Sequence, residues 1–268
     1  MSFSSSASPH RCSGPRLQVW RGATDNDGIK GWTNQDRKPL GRWLEAGLDA
    51  LILRPPAVKV EQTPEGVIVT IDQTASTAGV ERALTHHHRY LVRTDGTIQV
   101  TNRFEVDQAL PDLPRLGVTL TLPEAFEQMS WFGRGPLENY IDRNRAAWIG
   151  RFETSVTDQY VPYVLPQEHG NHTELRWMEL AASGASLRLT PSVPCEGSAT
   201  HFAPEDLFAA RHTTDLTPRR EVLVNLDVRQ RGLGTASCGP DTLEAYLVKP
   251  GTYDLTFEMT PQGEVLPG

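Results

Sequence analysis

Three segments of the sequence carry side chains that could bind a sugar. They are residues 20–28 (WRGATDNDG), 131–143 (WFGRGPLENYIDR) and 160–177 (YVPYVLPQEHGNHTELRW). Each combines carboxylates and amides, which hydrogen-bond hydroxyl groups, with aromatic rings that can stack on a sugar face. Glycine and proline in each segment restrict the backbone path. The three segments are therefore candidate ligand-binding loops.

Structural roles stay open for the first two segments. In residues 20–28 the Asp and Asn side chains can cap backbone N–H groups, as they do in ordinary turns. Residues 131–143 can form a rigid surface loop held by an ion pair of Arg143. The third segment is more suggestive, because Gln167, Glu168, His169 and Asn171 lie between prolines and a glycine that would fix their directions.

Other chemical signals in the sequence are weaker. Glu138 and Glu168 could form a glycosidase pair, but such carboxylates must lie about 5 to 9 Å apart across the scissile bond, and sequence does not supply that distance. The adjacent histidines at residues 86–88 cannot all bind one metal ion in a strand, because neighbouring residues face opposite sides. The three cysteines, Cys12, Cys195 and Cys238, are odd in number and widely spaced, which argues against a disulfide framework or zinc site and favours a reducing cytoplasm.

Short strands must position these segments. Residues 57–72 alternate apolar and polar side chains around a Pro-Glu-Gly turn, and residues 89–102 do so around Asp95-Gly96, so both predict β-hairpins. Further strands are predicted at residues 115–122, 186–190, 221–230, 243–247 and 252–256. Frequent turns and the absence of alternating helices predict an all-β sandwich.

Two short helices and one long irregular region complete the prediction. Residues 37–46 could bury Leu40, Trp43 and Leu44 on one helix face, and residues 204–210 begin with a proline that suits a helix start. Residues 131–177 are predicted to form long ordered loops, which in compact domains are usually functional.

Composition excludes two classes of function. The net charge is −7 and no Lys/Arg run is longer than Arg219-Arg220, which gives no surface for gripping nucleic acid. No apolar stretch approaches the ~20 residues of a membrane span. Residues 1–16 lack the apolar core of a secretory signal, so we expect them to be a disordered leader, followed by one domain over residues 17–268 in a cytoplasmic protein.

The three segments bring the sequence close to a known family. WRGATDND resembles the opening of the C-terminal domain of glycoside hydrolase family 2 β-galactosidases, WFGRGPLENYIDR resembles their G-P-x-E-x-Y-x-D-R loop, and PYVLPQEHGNHTELRW resembles their P-Q-E-x-G-N-x-T-x-x-R-W segment. The stretch at residues 206–257 is similar to the end of the same domain. The resemblance covers roughly residues 17–259.

This resemblance implies an antiparallel β-supersandwich, similar to the galactose mutarotase-like fold. In the family the catalytic glutamates lie in a TIM barrel, which this sequence does not contain, so the resemblance implies no catalytic residue here. It also implies no cofactor in this chain, since the Mg and Na ions that family enzymes often use are bound elsewhere. We therefore expect the isolated chain to be inactive.

The resemblance also implies which residues lie near the sugar. A substrate-site loop with a gating or sugar-contacting role would comprise Gly135, Pro136, Glu138, Asn139, Tyr140, Asp142 and Arg143. Residues that could lie near the sugar are Asp25, Asn26, Asp27, Gln167, Glu168, Asn171 and Cys238. Cys238 stands where many relatives place a sugar-stacking tryptophan, although it could instead be a small buried hydrophobic residue.

Three functions remain open from the sequence. The leading one is the C-terminal domain or small subunit of a β-galactosidase, which hydrolyses terminal β-D-galactosides such as lactose, with a catalytic chain and a galactoside as partners. The others are a separate carbohydrate-binding module or truncated remnant, and an aldose epimerase, for which adjacent Glu168 and His169 would point apart in an extended segment. An apolar face that evolved to cover the barrel would favour an oligomer.

Overall fold

The computed structural model describes residues 12–33 and 35–263. Strands dominate this part of the chain, together with two short α-helices. The strands are β1 (Ser13–Gln18), β2 (Ile52–Leu53), β3 (Ala57–Thr63), β4 (Gly66–Ser76), β5 (Leu84–Arg93), β6 (Ile98–Val106), β7 (Arg115–Leu122), β8 (Gln128–Gly135), β9 (Trp148–Ser155), β10 (His172–Leu175), β11 (Trp177–Ala182), β12 (Ala185–Pro191), β13 (Cys195–Thr200), β14 (Val222–Gln230) and β15 (Gly251–Gly263). The helices are α1 (Pro39–Glu45) and α2 (Pro204–Ala209).

The strands form two antiparallel sheets. The smaller has five strands in the order β1-β7-β14-β13-β10. The larger has ten, in the order β2-β4-β5-β6-β15-β12-β11-β8-β9, with β3 also paired to β4. Since every described strand pair is antiparallel, the prediction of an all-β antiparallel supersandwich is confirmed.

The hydrophobic core lies between the two sheets. In the larger sheet Val100 of β6 pairs with Phe257 of β15, and both are buried. In the smaller sheet Val118 of β7 pairs with Leu226 of β14, and both are fully buried. Each such side chain contributes about 1.5 to 3 kcal/mol on burial. This core fixes the distance and orientation of the sheets, and thus of the loops at their ends.

Most predicted strands are confirmed. Residues 57–72 form the β3–β4 hairpin, residues 89–102 form part of the β5–β6 hairpin, and residues 115–122 coincide with β7. Strands also occupy the predicted ranges 186–190, 221–230 and 252–256, except that β14 begins at Val222. The strand predicted at residues 243–247 is wrong: a 3-10 turn occupies Glu244–Tyr246, and Leu243 is exposed.

The prediction of long loops across residues 131–177 is wrong in part. The end of β8 and all of β9 and β10 lie in this range. The glycines in this range were interpreted as loop residues, but here they permit close packing between strands. A Cβ at Gly133 would lie 2.9 Å from the Leu175 side chain, and one at Gly135 would lie 2.7 Å from the Phe152 ring.

Both helices are confirmed, with small differences. In α1, Leu40 and Trp43 are buried as predicted, whereas Leu44 is exposed. Pro204 occupies the first turn of α2. In the described residues no helix is long and apolar enough to cross a membrane.

The first strand begins earlier than predicted. β1 starts at Ser13 and pairs with β7, so the predicted leader of residues 1–16 extends too far. Residues 1–11 lie outside the described part of the chain.

Candidate functional site

Four segments distant in sequence line one cavity of about 210 Å³. They come from the three polar segments and from the connection between β14 and β15. The lining residues are Thr24, Asp25, Asn26, Tyr140, Arg143, Tyr163, Gln167, Glu168, Leu233 and Ser237. The structure thus brings together all three segments that the sequence singled out.

A buried ion pair shapes the first segment. Arg21 and Asp27 are both fully buried, and Arg21 Nη2 lies 2.6 Å from Asp27 Oδ1. Asp27 Oδ2 also accepts hydrogen bonds from the backbone N–H and the hydroxyl of Thr24, at 2.9 and 3.0 Å. Asp27 is therefore a structural cap, and it presents Thr24, Asp25 and Asn26 to the cavity.

Asp25 and Asn26 connect the first segment to the others. The Asp25 N–H donates to Gln167 Oε1 at 3.0 Å. Asn26 Nδ2 donates to the carbonyl of Gly234 at 2.9 Å, and Asn26 Oδ1 accepts from the Ser237 hydroxyl at 2.7 Å. These bonds join three walls of the cavity.

Arg115 of β7 holds the third segment in place through Glu168. Glu168 Oε1 lies 3.0 Å from Arg115 Nη1, and the same guanidinium pairs with the fully buried Asp227. Burial lowers the pKa of Arg115, but Asp227 and Glu168 outweigh it and raise that pKa above its ordinary value. Glu168 Oε2 also accepts the Gly22 N–H at 3.2 Å. Glu168 therefore holds the first and third segments to the sheet.

The second segment is held by carboxylate and amide side chains. Glu138 accepts the Gly170 N–H at 2.8 Å and also the hydroxyl of Tyr163. Burial and this hydrogen bond raise the pKa of Tyr163 to about 12. Asp142 accepts the N–H groups of Leu233 and Gly234 at 3.0 and 2.8 Å. The loop is thus fixed to two other walls of the cavity.

Asn139 and Asn171 lie behind the cavity. Asn139 Oδ1 accepts the Thr173 N–H at 3.0 Å. Asn171 Nδ2 donates to the carbonyl of Asn139 at 2.9 Å and to Glu196 Oε2 at 3.0 Å. Both amides are buried and satisfy backbone groups where strands meet loops. They support the site rather than line it.

Tyr140 differs from these supporting residues. It lines the cavity and is 2% exposed, yet its hydroxyl has no hydrogen-bond partner among the described residues. Burial raises its pKa well above the ordinary value, as do Glu138 and Glu168, so the phenol stays protonated. A buried hydroxyl without a partner costs about 1 to 3 kcal/mol. The hydroxyl is therefore a donor whose hydrogen is not used within the described part of the fold.

Six of the predicted site residues line the cavity: Asp25, Asn26, Tyr140, Arg143, Gln167 and Glu168. The remaining predicted residues do not: Gly135, Pro136, Glu138, Asn139, Asp142, Asp27, Asn171 and Cys238. Sequence reasoning missed Thr24, Tyr163, Leu233 and Ser237. Tyr163 sits between two prolines of the third segment, and this signal could have identified it.

Two side-chain roles left open by the sequence are now corrected. Cys238 is exposed, so its interpretation as a buried hydrophobic residue is wrong. In the described part of the chain Arg143 forms no ion pair, and it lies beside the Tyr163 hydroxyl instead.

Glu168 and His169 bond to different elements. His169 Nδ1 lies 3.0 Å from the Gln167 carbonyl and Nε2 lies 3.3 Å from the Thr200 hydroxyl, whereas Glu168 pairs with Arg115. They therefore do not converge on a common point, as an acid–base pair on one sugar would require.

The histidines at residues 86–88 alternate along β5. His86 and His88 are buried, while His87 lies beside Asp72 on the opposite face. The residues that the structure describes contain no group of three or more His, Cys, Asp or Glu side chains arranged to hold a metal ion.

Exposed apolar side chains flank the cavity loops. Leu137 is 72% exposed and follows Pro136, while Val164 is 93% exposed and follows Tyr163. Glu138 and Tyr163, their sequence neighbours, are hydrogen-bonded to each other. Large apolar residues on rigid loops are typical of surfaces that contact another protein.

Comparison with known proteins places this arrangement in a family. Residues 4–259 match the family model described as beta galactosidase small chain. The chain is 30% identical over 241 residues to a Staphylococcus xylosus protein named beta-galactosidase. The alignment covers 90% of this chain and 23% of that protein. It is 32% identical over 221 residues to the beta-galactosidase of Vibrio cholerae, and this alignment covers 82% of this chain and 21% of that protein. The chain thus spans about a quarter of the length of the curated relatives that it matches.

Solved structures show weaker similarity. A galactose 1-epimerase from Lactobacillus acidophilus aligns with 79% of this chain and 68% of its own, with a TM-score of 0.44 and 9% sequence identity. With the family model matching nearly the whole sequence, the chain belongs to the beta-galactosidase small chain family.

Proposed function

We propose that this chain is the small-chain part of a β-galactosidase, and that its cavity helps to form the galactoside site of a catalytic partner chain. The reaction is the hydrolysis of terminal β-D-galactosides such as lactose. The observation that carries the proposal is the convergence of three polar segments on one cavity with a free phenol donor.

The cavity has the chemistry of a sugar site but not its size. Tyr140 and Arg143 supply donors, while Asp25 supplies a carboxylate, and such groups recognise hydroxyls. Small-molecule sites are usually about 300 to 1,000 Å³ in volume. At about 210 Å³ this cavity is smaller, so a second surface would complete it.

The apolar side chains beside the cavity support a protein as that second surface. Leu137 and Val164 would be buried by a docked chain, and each contributes about 1.5 to 3 kcal/mol when buried fully. Their loops are held by partly buried hydrogen bonds, so docking would cost little ordering entropy. The association is therefore with a catalytic chain that covers the cavity mouth.

The catalytic carboxylates would come from the partner. Both Glu138 and Glu168 are engaged in bonds that hold the loops together. Hydrolysis with retention needs one carboxylate as nucleophile and one as acid/base, and these would lie on the partner chain. This chain would position the leaving sugar and exclude water.

Complementation tests the proposal. The purified chain is mixed with a β-galactosidase chain that bears the catalytic barrel and lacks this region, and hydrolysis of a nitrophenyl β-galactoside is followed. The chain alone should give no turnover, and the mixture should give activity. Val164→Asp should reduce the activity at least tenfold, whereas Val193→Asp, at a 61% exposed valine outside the cavity loops, should not.

Two outcomes would contradict this function. Turnover by the isolated chain that Glu138→Gln or Glu168→Gln abolishes would place the catalytic residues here. Galactose binding by the isolated chain, lost in Tyr140→Phe and accompanied by no complementation, would instead favour a separate carbohydrate-binding module.

A further inference from the structure

The larger sheet extends beyond the smaller one at the β3 end. Along one row of its inner face, Val60 of β3 pairs with Val69, which pairs with Tyr90, which pairs with Val100. Val100 is fully buried, but Val60 is 62% exposed. Val58, on the same face of β3, is 57% exposed. None of the described residues therefore forms a second layer over the outer part of this face.

Within residues 12–33 and 35–263, β3 is also a regular edge strand that pairs only with β4. Its seven residues pair with β4 without a register shift, and it contains no proline or bulge. Edges of this kind are templates for pairing with another strand. Many proteins block such edges with bulges or prolines, and β3 has neither.

The direction of the free backbone groups follows from the sheet. The Arg93 N–H donates to Thr97 on the β6 side, so its neighbour Val92 directs its backbone groups toward β4. Alternation then directs Val67 of β4 toward β5, and Gln62, its partner on β3, toward the free edge. By the same alternation Val58 and Val60 also present N–H and C=O groups to the edge.

The outer face of β3 carries complementary charges. Lys59 and Glu61 lie on either side of Val60, and Lys59 Nζ is 3.4 Å from Glu61 Oε2. In an antiparallel pair of identical strands with a twofold axis at Val60, Lys59 of each copy is directly opposite Glu61 of the other. This pair would be non-hydrogen-bonded, which is the geometry that brings opposite side chains closest.

We propose that β3 pairs with β3 of a second copy around a twofold axis at Val60, joining two larger sheets into one. Val58, Val60 and Gln62 of each copy exchange backbone hydrogen bonds across the axis. Val60 packs on its counterpart, and two Lys59–Glu61 pairs fix the register. No residue that lines the cavity takes part, so this dimer is independent of the proposed function.

Sedimentation analysis over a concentration series tests the dimer. The unmodified chain should show a concentration-dependent dimer. Glu61→Lys places like charges opposite each other and should weaken the dimer at least tenfold. The charge-exchanged variant, Lys59→Glu with Glu61→Lys, restores opposite charges and should recover the dimer.

Val60→Pro supplies an independent test. Its N–H points away from β4, so proline can be accommodated at this edge without loss of a bond within the chain. The variant should stay folded by circular dichroism and become monomeric. A chain that is monomeric at all concentrations, or a dimer that both Glu61→Lys and Val60→Pro leave intact, would overturn the proposal. Val164→Asp should leave the dimer unchanged, which separates this result from the complementation result.

Discussion

The cavity end and the β3 end of the molecule are built on different principles. At the cavity, irregular segments are held by fully buried charges such as Arg21, Asp27 and Arg115, each paired and hydrogen-bonded. At the β3 end, regular strands are held by backbone ladders, and valines remain exposed to solvent. A specific site thus depends on a few side-chain pairs, whereas an extendable sheet edge depends on the backbone.

The difference has a thermodynamic consequence. A buried charge that has lost its partner is costly, so removal of either member of an ion pair at the cavity should strongly lower the free energy of unfolding. Exposed side chains on a strand lose little when changed, because water replaces the lost contacts. Mutations that break a buried ion pair at the cavity should therefore have large effects on stability, and mutations of exposed side chains on β3 should have small ones.

The largest effect is expected from Arg115→Met. It leaves the buried carboxylates of Asp227 and Glu168 without their cation, which should lower the free energy of unfolding by about 3 to 5 kcal/mol. Chemical denaturation measures this. Arg103→Met is the matched control, since its pair with Asp254 is exposed and should contribute less than about 1 kcal/mol. Equal losses in the two variants would contradict the comparison.

The second largest effect expected is a loss of stability in acid, caused by the buried histidines of β5. Burial, opposed by Asp72 and reinforced by His87, lowers the pKa of His88 to about 4. The unfolded chain therefore takes up a proton below about pH 6.5 that the folded chain does not, and stability falls as the pH drops from 6.5 to 4. His88 alone should contribute about 3 kcal/mol to this loss.

The pH dependence of unfolding in His88→Gln checks this assignment. The variant should lose less stability than the unmodified chain between pH 6.5 and 4. His87→Gln, on the opposite face of β5, should keep the original slope. If His88→Gln retains the full slope, the acid sensitivity arises elsewhere.

Two valines in one row of the larger sheet sharpen the contrast further. Val100→Thr places a hydroxyl in the core and should cost about 2 kcal/mol. Val60→Thr should change stability by less than about 0.5 kcal/mol, because the side chain is mostly exposed. Thermal unfolding at a concentration that keeps the chain monomeric measures both. A similar cost at the two positions would mean that the β3 face is covered.

A modest effect of the opposite sign is expected at Tyr140. Tyr140→Phe removes a buried hydroxyl that has no partner in the described residues, so stability should rise by up to about 1 kcal/mol. Complemented activity should fall at the same time if the phenol donates to the sugar. A loss of stability greater than 1 kcal/mol would show that the hydroxyl is bonded within the fold.

Predictions from the sequence are confirmed where local patterns decide the structure. Alternation of apolar and polar residues located β7 to the residue and the β3–β4 hairpin except for the end of β4, which extends to Ser76, because a strand with one buried face must alternate. It failed for the end of β8 and for β9, where glycines required by close packing resembled turn residues. It also failed at residues 243–247, where the alternating residues do not pair with a neighbouring strand.

The sequence by itself determined the all-β class, the family and the three segments that meet at the cavity. Only the tertiary structure decided the role of each side chain within them. Glu168 and Asp27 resemble free ligand-binding carboxylates in sequence, yet each is paired with an arginine. Tyr140 was predicted to belong to the substrate-site loop, but only the structure shows that its hydroxyl is buried and unpartnered in the part of the chain described. The reason is physical: burial and partners depend on residues far apart in the chain, such as Arg115 and Glu168, which only folding brings together.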